Sequence, residues 1–286
     1  MPMNSAPTLP PALYVVATPI GNLGDITLRA LEVLRGVDRV ACEDTRHSRP
    51  LLQHHDIRTP LFAVHQHNEA ASAARIVEAL QQGERIALIT DAGTPGVSDP
   101  GAVVVAAVRA AGLTVVPIPG PSALACVLSV SGLPPGPVTF AGFLPAKAAA
   151  RRKALAALAV MPGALVFYEA PHRVLESLAD MTASLGGERH CLIARELTKR
   201  FETVHRLPLR DAAAWLAAEA DRQRGEFVLL VEPAGHGATD IAAVDTLLRV
   251  LLEELPPNQA ARLAAKATGV GRQALYRRAL ELRPAP

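Results

Sequence analysis

Residues 86–101 read Ile86-Ala87-Leu88-Ile89-Thr90-Asp91-Ala92-Gly93-Thr94-Pro95-Gly96-Val97-Ser98-Asp99-Pro100-Gly101. Four apolar residues, the pattern of a short buried strand, run into a loop with three glycines. Asp99-Pro100 then has the form of a helix start, a capping carboxylate followed by proline at the first helical position. The loop's side chains are too small to form a packing element. They suit a place where backbone comes close to something bound at the end of a strand. Two loops of the same kind flank it, Ala17-Thr18-Pro19-Ile20-Gly21-Asn22-Leu23-Gly24-Asp25 and Pro117-Ile118-Pro119-Gly120-Pro121-Ser122-Ala123. Three such loops after three apolar strands predict one composite pocket.

The same alternation extends over the first half of the chain. Apolar runs near 13–17, 37–42, 61–64, 86–90 and 114–118 are separated by helical patterns near 26–34, 68–82 and 101–111, the first capped by Asp25. That period predicts an α/β domain whose largely parallel sheet is covered on both faces. Leu133-Pro134-Pro135-Gly136-Pro137 breaks the chain, and a second, more mixed α/β domain follows. Its strands are expected near 138–141, 164–168, 191–194, 202–205 and 227–231, with a half-exposed alternating stretch over 198–206, and its helices near 149–160, 173–185 and 209–222. Ala234-Gly235-His236-Gly237-Ala238 reads as a linker to three helical segments, Asp240–Leu255, Asn258–Thr268 and Arg272–Leu282. The expected division is 12–133, 134–234 and 239–286.

A chain of 286 residues exceeds the usual single-domain size. Its net charge of +2 identifies no partner, but its distribution is uneven. From Pro256 onward, six cations (Arg262, Lys266, Arg272, Arg277, Arg278, Arg283) face one acid (Glu281), a local +5 that leaves −3 for the rest. The last two helical segments meet at Thr268-Gly269-Val270-Gly271 and read as a helix-turn-helix with Arg272, Gln273, Arg277 and Arg278 off its apolar stripe. Such a hairpin is either plainly solvated or a polyanion contact, and its one-signed charge favours nucleic acid. Cys42, Cys126 and Cys191 are odd in number and widely spaced, as expected of free thiols in a reducing cytoplasm. No metal-ligand spacing, signal segment or membrane-length apolar run is present, so a soluble, metal-free protein is expected.

The loops exclude two common phosphate cradles. Neither GxGxxG nor GxxxxGK[ST] occurs, and none of the three loops carries a lysine. Two polar strings could supply a proton acceptor: Glu43-Asp44-Thr45-Arg46-His47 at a strand's carboxyl end, and Arg195-Glu196-Leu197-Thr198-Lys199-Arg200-Phe201-Glu202. Glu43 and Asp44 could equally form an ion pair and cap with Arg46, and Glu196, Lys199 and Glu202 could decorate a strand edge. His172 and Arg173 could meet phosphate or only complete a helix start. Lys147, Arg151, Arg152 and Lys153 form either a solvated helix face or a backbone-tracking patch.

These motifs carry a resemblance. Thr18–Asp25, Cys42-Glu43-Asp44-Thr45-Arg46, Asp91-Ala92-Gly93-Thr94-Pro95, Pro119–Ala123, Gly142-Phe143-Leu144-Pro145, Phe167–Arg173, Ala194–Lys199 and Gly225-Glu226 occur in this order. The chain resembles the tetrapyrrole-methylase superfamily of S-adenosylmethionine-dependent (class III) methyltransferases, and within it the bacterial branch that methylates a cytidine 2′-oxygen of 16S ribosomal RNA. The resemblance implies two α/β domains with the cofactor in the cleft between them. It implies cofactor contacts from Pro19, from Asp91, Ala92, Gly93, Thr94 and Val97, from Ser122 and Ala123, and from Tyr168. Gly93-Thr94-Pro95 stands where tetrapyrrole-acting members usually carry Gly-Asp-Pro, which points to the RNA-acting branch. The small ribosomal subunit as partner, a homodimer, and no DNA or membrane complete the expectation. The competing readings are a methyltransferase for a tetrapyrrole or other small molecule, and a ligand-sensing nucleic-acid regulator without catalysis.

Overall fold

The structure, a computed structural model, describes residues 9–64, 69–234, 241–268 and 270–282. The expected helix starts at Asn68 and Asp240, linker residues 235–238, turn residue Gly269, and Arg283 lie outside the described residues.

Short apolar segments of the first half become five strands: β1 (Leu13–Val16), β2 (Arg39–Cys42), β3 (Leu61–Ala63), β4 (Ile86–Leu88) and β5 (Val115–Ile118). They form one parallel sheet in the order β3-β2-β4-β1-β5. Period-two alternation divides each strand between two cores. Tyr14, Val16, Val40 and Ala87 face α1 (Leu28–Gly36) and α2 (Thr45–His54), burying Ala30, Val33, Leu34, Leu51 and Leu52. Leu13, Ala41, Ile86 and Leu88 face α3 (Glu69–Gln81) and α4 (Ala102–Ala110), burying Ile76, Val104 and Val108.

Helix ends differ from expectation in two places. Thr27, not Asp25, caps α1, its hydroxyl accepting from the Ala30 amide at 3.1 Å. At α4 Asp99 is not the cap and Pro100 is not the first helical residue, since the helix begins at Ala102 after Gly101. The Glu69 carboxylate, at the start of α3, accepts from the amides of Gly101 (2.9 Å) and Val103 (3.2 Å), because α3 and α4 pack side by side. Helix α2 was foreshadowed only by the alternative that Asp44 is a cap, and α5 (Ala123–Ser129) was not expected. Helix α2 contains Pro50, and α5 is six apolar residues closed by Ser129, a length that reads equally as strand.

The second half forms a mixed sheet from β6 (Val138–Phe143), β7 (Ala164–Glu169), β8 (His190–Arg195), β9 (Thr203–Pro208) and β10 (Phe227–Val231), in the order β6-β7-β10-β8-β9. Only β6 and β7 pair in parallel. One face carries α6 (Ala148–Ala159), α7 (Val174–Leu185) and α8 (Leu209–Ala217) over Leu165, Phe167, Ile193 and Leu229. The other face, with Val166, Leu192, Val228 and Leu230, packs against α5 and Ile20 of the first half. The expected alternation over 198–202 is a turn instead, with Glu196 and Thr198 at positive φ. Arg195 ties it down by donating to the carbonyls of Phe201, Asp221 and Arg224.

The basic run on α6 is not a uniform face. Arg151 is 2 % exposed and bonds Asp180 (2.6 Å) and Glu176 (3.2 Å) on α7. It clamps two helices, and Arg152 also leans on Asp180 at 3.5 Å. Beyond the second sheet, α9 (Ile241–Glu254), α10 (Pro257–Thr268) and α11 (Arg272–Leu282) share their own core of Val244, Leu248, Ala261, Ala264, Leu275 and Ala279.

Candidate active site

The three glycine loops meet, and hydrogen bonds stitch them together. Thr18 and Gly93 exchange both backbone bonds (2.9 and 3.1 Å), and the buried Thr18 hydroxyl donates to the Thr90 carbonyl at 3.2 Å. The Thr94 hydroxyl donates to the Pro121 carbonyl at 3.1 Å. From the opposite sheet, the Tyr168 hydroxyl accepts from the Leu124 amide at 3.2 Å, joining β7 to the start of α5. Burial drives the Tyr168 phenol's pKa upward.

Between these elements lies a cavity of about 380 Å³. Its first-half wall comprises Ile20, Ala92, Gly93, Thr94, Val97, Asp99, Ser122 and Ala123. Its second-half wall comprises Phe143, Tyr168, Glu169, Ala170, Pro171, Leu197, Glu226, Phe227 and Val228. Among the described residues no cation lines it, whereas three carboxylates, Asp99, Glu169 and Glu226, do. Such a wall fits a partly apolar molecule carrying positive charge better than a phosphate.

Asp99 is half-buried in this wall. Burial, then the nearby charges of Glu43 and Asp91, push its pKa up to about 6. Burial and Asp91 likewise raise Glu43. Asp44 sits in the same string under opposite conditions. Its carboxylate caps α2 through the Arg46 amide (2.8 Å) and pairs with the Arg46 guanidinium (2.7 Å), which lowers it to about 2. Asp91 accepts from the Asp44 amide at 3.3 Å.

The second string forms a rim on the other side. The Lys199 ammonium lies 2.9 Å from both Glu196 and Glu226. Burial alone would raise Glu196, but the bonds from Lys199 and from the Glu226 amide outweigh it and lower its pKa. The stem of Lys199 crosses Gly21 so closely that a Cβ there would stand 2.4 Å from Lys199 Cγ. Only glycine permits that contact between the two halves of the chain. Glu202 turns inward on its own loop, accepting from the Thr198 amide at 2.6 Å.

Residues 12–213 match the family of tetrapyrrole (corrin/porphyrin) methylases, and residues 238–283 match the RsmI C-terminal HTH domain. The chain belongs to the tetrapyrrole methylase family. Among its relatives, ribosomal RNA small subunit methyltransferase I of Pseudomonas aeruginosa is 53% identical over 273 residues, 94% of this chain and 96% of that one. The protein of the same name from Escherichia coli O157:H7 is 51% identical, with 94% of each covered. A solved uroporphyrin-III C-methyltransferase of Thermus thermophilus, complexed with S-adenosyl homocysteine, shares the fold at a TM-score of 0.54 and 19% identity, covering 77% of this chain and 97% of that one.

In this tetrapyrrole methylase family member, Ala92, Gly93, Thr94, Val97, Ser122, Ala123 and Tyr168 line the cavity. Pro19 and Asp91 adjoin the lining residues Ile20 and Ala92 without being among them. Glu43, Asp44, Glu196, Lys199 and Glu202 are also outside the lining. Glu43 reaches it through its charge on Asp99, and Glu196 and Lys199 through their bonds to Glu226. Asp99, Glu226 and Phe143 are lining residues that were not expected. The first was legible only as a helix start, and the others lay inside motifs without a chemical signature. Arg173 is half-buried and committed within the protein, 3.3 Å from the buried Glu169 and donating to the Leu144 carbonyl. It is not free for phosphate, while His172 is exposed.

The basic tail is also partly committed. Arg278 bonds Asp245 through two nitrogens (2.8 and 2.5 Å) as well as Glu281, and Arg272 donates to Asn258 at 2.7 Å. Arg262, Lys266 and Arg277 are exposed. Asn258, Arg272, Gln273, Tyr276 and Arg277 line a shallow depression on this unit.

Proposed function

We propose that the protein methylates the 2′-oxygen of a cytidine ribose in 16S ribosomal RNA of the small subunit, with S-adenosylmethionine as donor. The observation that carries this reading is the 53% identity over 94% of the chain to a protein named ribosomal RNA small subunit methyltransferase I, helical tail included; the cytidine 2′-oxygen rests on the family resemblance. A tetrapyrrole or other small-molecule acceptor is not favoured, since the small-molecule enzymes are similar at only about a fifth of positions.

In this reading Ala92, Gly93, Thr94, Val97, Ser122, Ala123 and Tyr168 hold the donor, and Pro19 and Asp91 shape the loops behind them. Asp99 and Glu226 offer negative charge to its cationic end. When bound, the sulfonium donor supplies a methyl carbon that is already activated. The chain must then place the ribose hydroxyl in line and receive its proton. Glu43 is the acceptor we assign, because its raised pKa and its electrostatic reach to Asp99 suit the role. Asp44, Glu196, Lys199 and Glu202 are assigned to shaping the two rims, since each already carries structural bonds.

We also propose the division into units 12–133, 134–234 and 239–286. Each sheet draws its strands from one of the first two segments, and the tail has its own core. A cytoplasmic homodimer completes the reading. Three free cysteines support a reducing compartment, and among the described residues no helix is long and apolar enough to cross a membrane. The dimer rests on the family resemblance, and light scattering on the purified protein measures it.

The test is methyl transfer from labelled donor to small subunits purified from a strain lacking this enzyme. Label on a cytidine ribose is expected. Glu43→Gln should lower kcat by 10²-fold or more, on the order of a lost general base, with S-adenosylhomocysteine affinity retained. Absence of ribose label with the wild-type protein refutes the assignment.

A further inference from the structure

β6 is an edge strand, and its register against β7 slips between Phe140 and Gly142. In a regular strand, residues three apart point to opposite faces. Phe143 would then stand on the face of Ala141, toward α6 and α7. The bulge reverses this. Phe140 and Phe143 both meet Tyr168 edge-on, at 4.8 and 5.7 Å between ring centres. Bulges beside active sites commonly re-aim a side chain in this way. Gly142 takes φ +62° here, and a Cβ would lie 2.9 Å from Ser98 Oγ in the first half, so the kink depends on glycine.

The re-aimed ring gains no burial: Phe143 remains 54 % exposed while lining the cavity. It is nonetheless held in place. Tyr168 is fastened to the Leu124 amide, and Arg173, paired with the buried Glu169, grips the Leu144 carbonyl just after Phe143. An apolar ring kept at a cavity mouth with a solvent-facing surface suits a flat, π-faced ligand arriving from outside. The small, more enclosed loop residues Gly93, Thr94 and Ser122 form the inner wall that suits the donor. Exposed His172 and Lys147 follow the ends of β7 and β6, cationic or hydrogen-bonding neighbours suited to an RNA backbone.

We propose that Phe143 is a stacking platform for the base of the target nucleotide, holding it so that its ribose faces the cavity. This rests on the rRNA reading above. A single base–aromatic stack is worth roughly a ten- to hundredfold change in affinity. Phe143→Leu should raise KM for the unmodified small subunit by that factor. S-adenosylhomocysteine affinity by calorimetry should stay within about twofold of wild type. Phe143→Tyr, which keeps the π face, should restore KM. As an independent readout, Phe143→Trp should show fluorescence quenching on subunit binding beyond that of Trp215 in the wild type. An unchanged KM in Phe143→Leu, a parallel loss of S-adenosylhomocysteine affinity, or no added quenching in Phe143→Trp overturns the platform while leaving an active wild type's function intact. A wild type that transfers no methyl to the subunit overturns the function and the platform together.

Discussion

Two aspartates show how far environment outweighs residue type. Asp44 has its carboxylate occupied by Arg46 and is held at about 2, whereas Asp99, half-buried beside Glu43 and Asp91, is pushed up to about 6. In the proposed role, ionised Asp99 faces a cationic donor. Its charge is present above pH 6 and lost below, so donor affinity should fall about tenfold from pH 7 to pH 5. Calorimetry across this range checks it, and Asp99→Asn should bind weakly and lose the pH dependence. Stability of the donor-free fold runs the other way. The ordinary carboxyl ionises near 3.8, while folded Asp99 keeps its proton to about 6. The folded state therefore binds more protons in that window, and stability declines as pH rises through it. Asp99→Asn should raise Tm at pH 7.5 and leave it nearly unchanged at pH 4.

At the level of elements, the strands were readable because short apolar or alternating runs set off by turn residues are a local property. Helix α2 was not, because Pro50 removes a backbone donor inside it and polar residues fill its first turn. Its start, Asp44, was legible only as one of two alternatives, cap or proton acceptor. Helix α4 teaches the reverse lesson. The chain offers Asp99-Pro100 as a start, yet Glu69, 32 residues away from Gly101, supplies the cap. Glu69→Ala should therefore cost about 1 kcal/mol, the usual value of a lost N-cap. Chemical denaturation measures it, and Asp99→Asn should show no comparable capping loss.

At the scale of the whole molecule, the tail has a core of its own that includes α9 as well as the helical hairpin. Cutting at Pro256 would expose the apolar face of α9, so the informative deletion removes residues 235–286. That protein should bind S-adenosylhomocysteine with near wild-type affinity and bind the small subunit more weakly. Within the intact chain, Arg262, Lys266 and Arg277 are the cations to replace. Each alanine should reduce the slope of log affinity against log salt by roughly 1 if that cation meets phosphate. Arg278→Ala should instead lower thermal stability through its pair with Asp245. The amino-acid sequence by itself determined the order and kind of most elements, the three glycine loops and the one-signed tail, because periodicity, backbone constraint and charge are local. Only the tertiary structure decided that Asp99 faces a cavity, that Arg151 and Arg173 are structural, that Lys199 crosses Gly21, and that a bulge turns Phe143 toward the cavity mouth. Each of those depends on contacts between residues far apart in the chain, whose distances and burial no local pattern encodes.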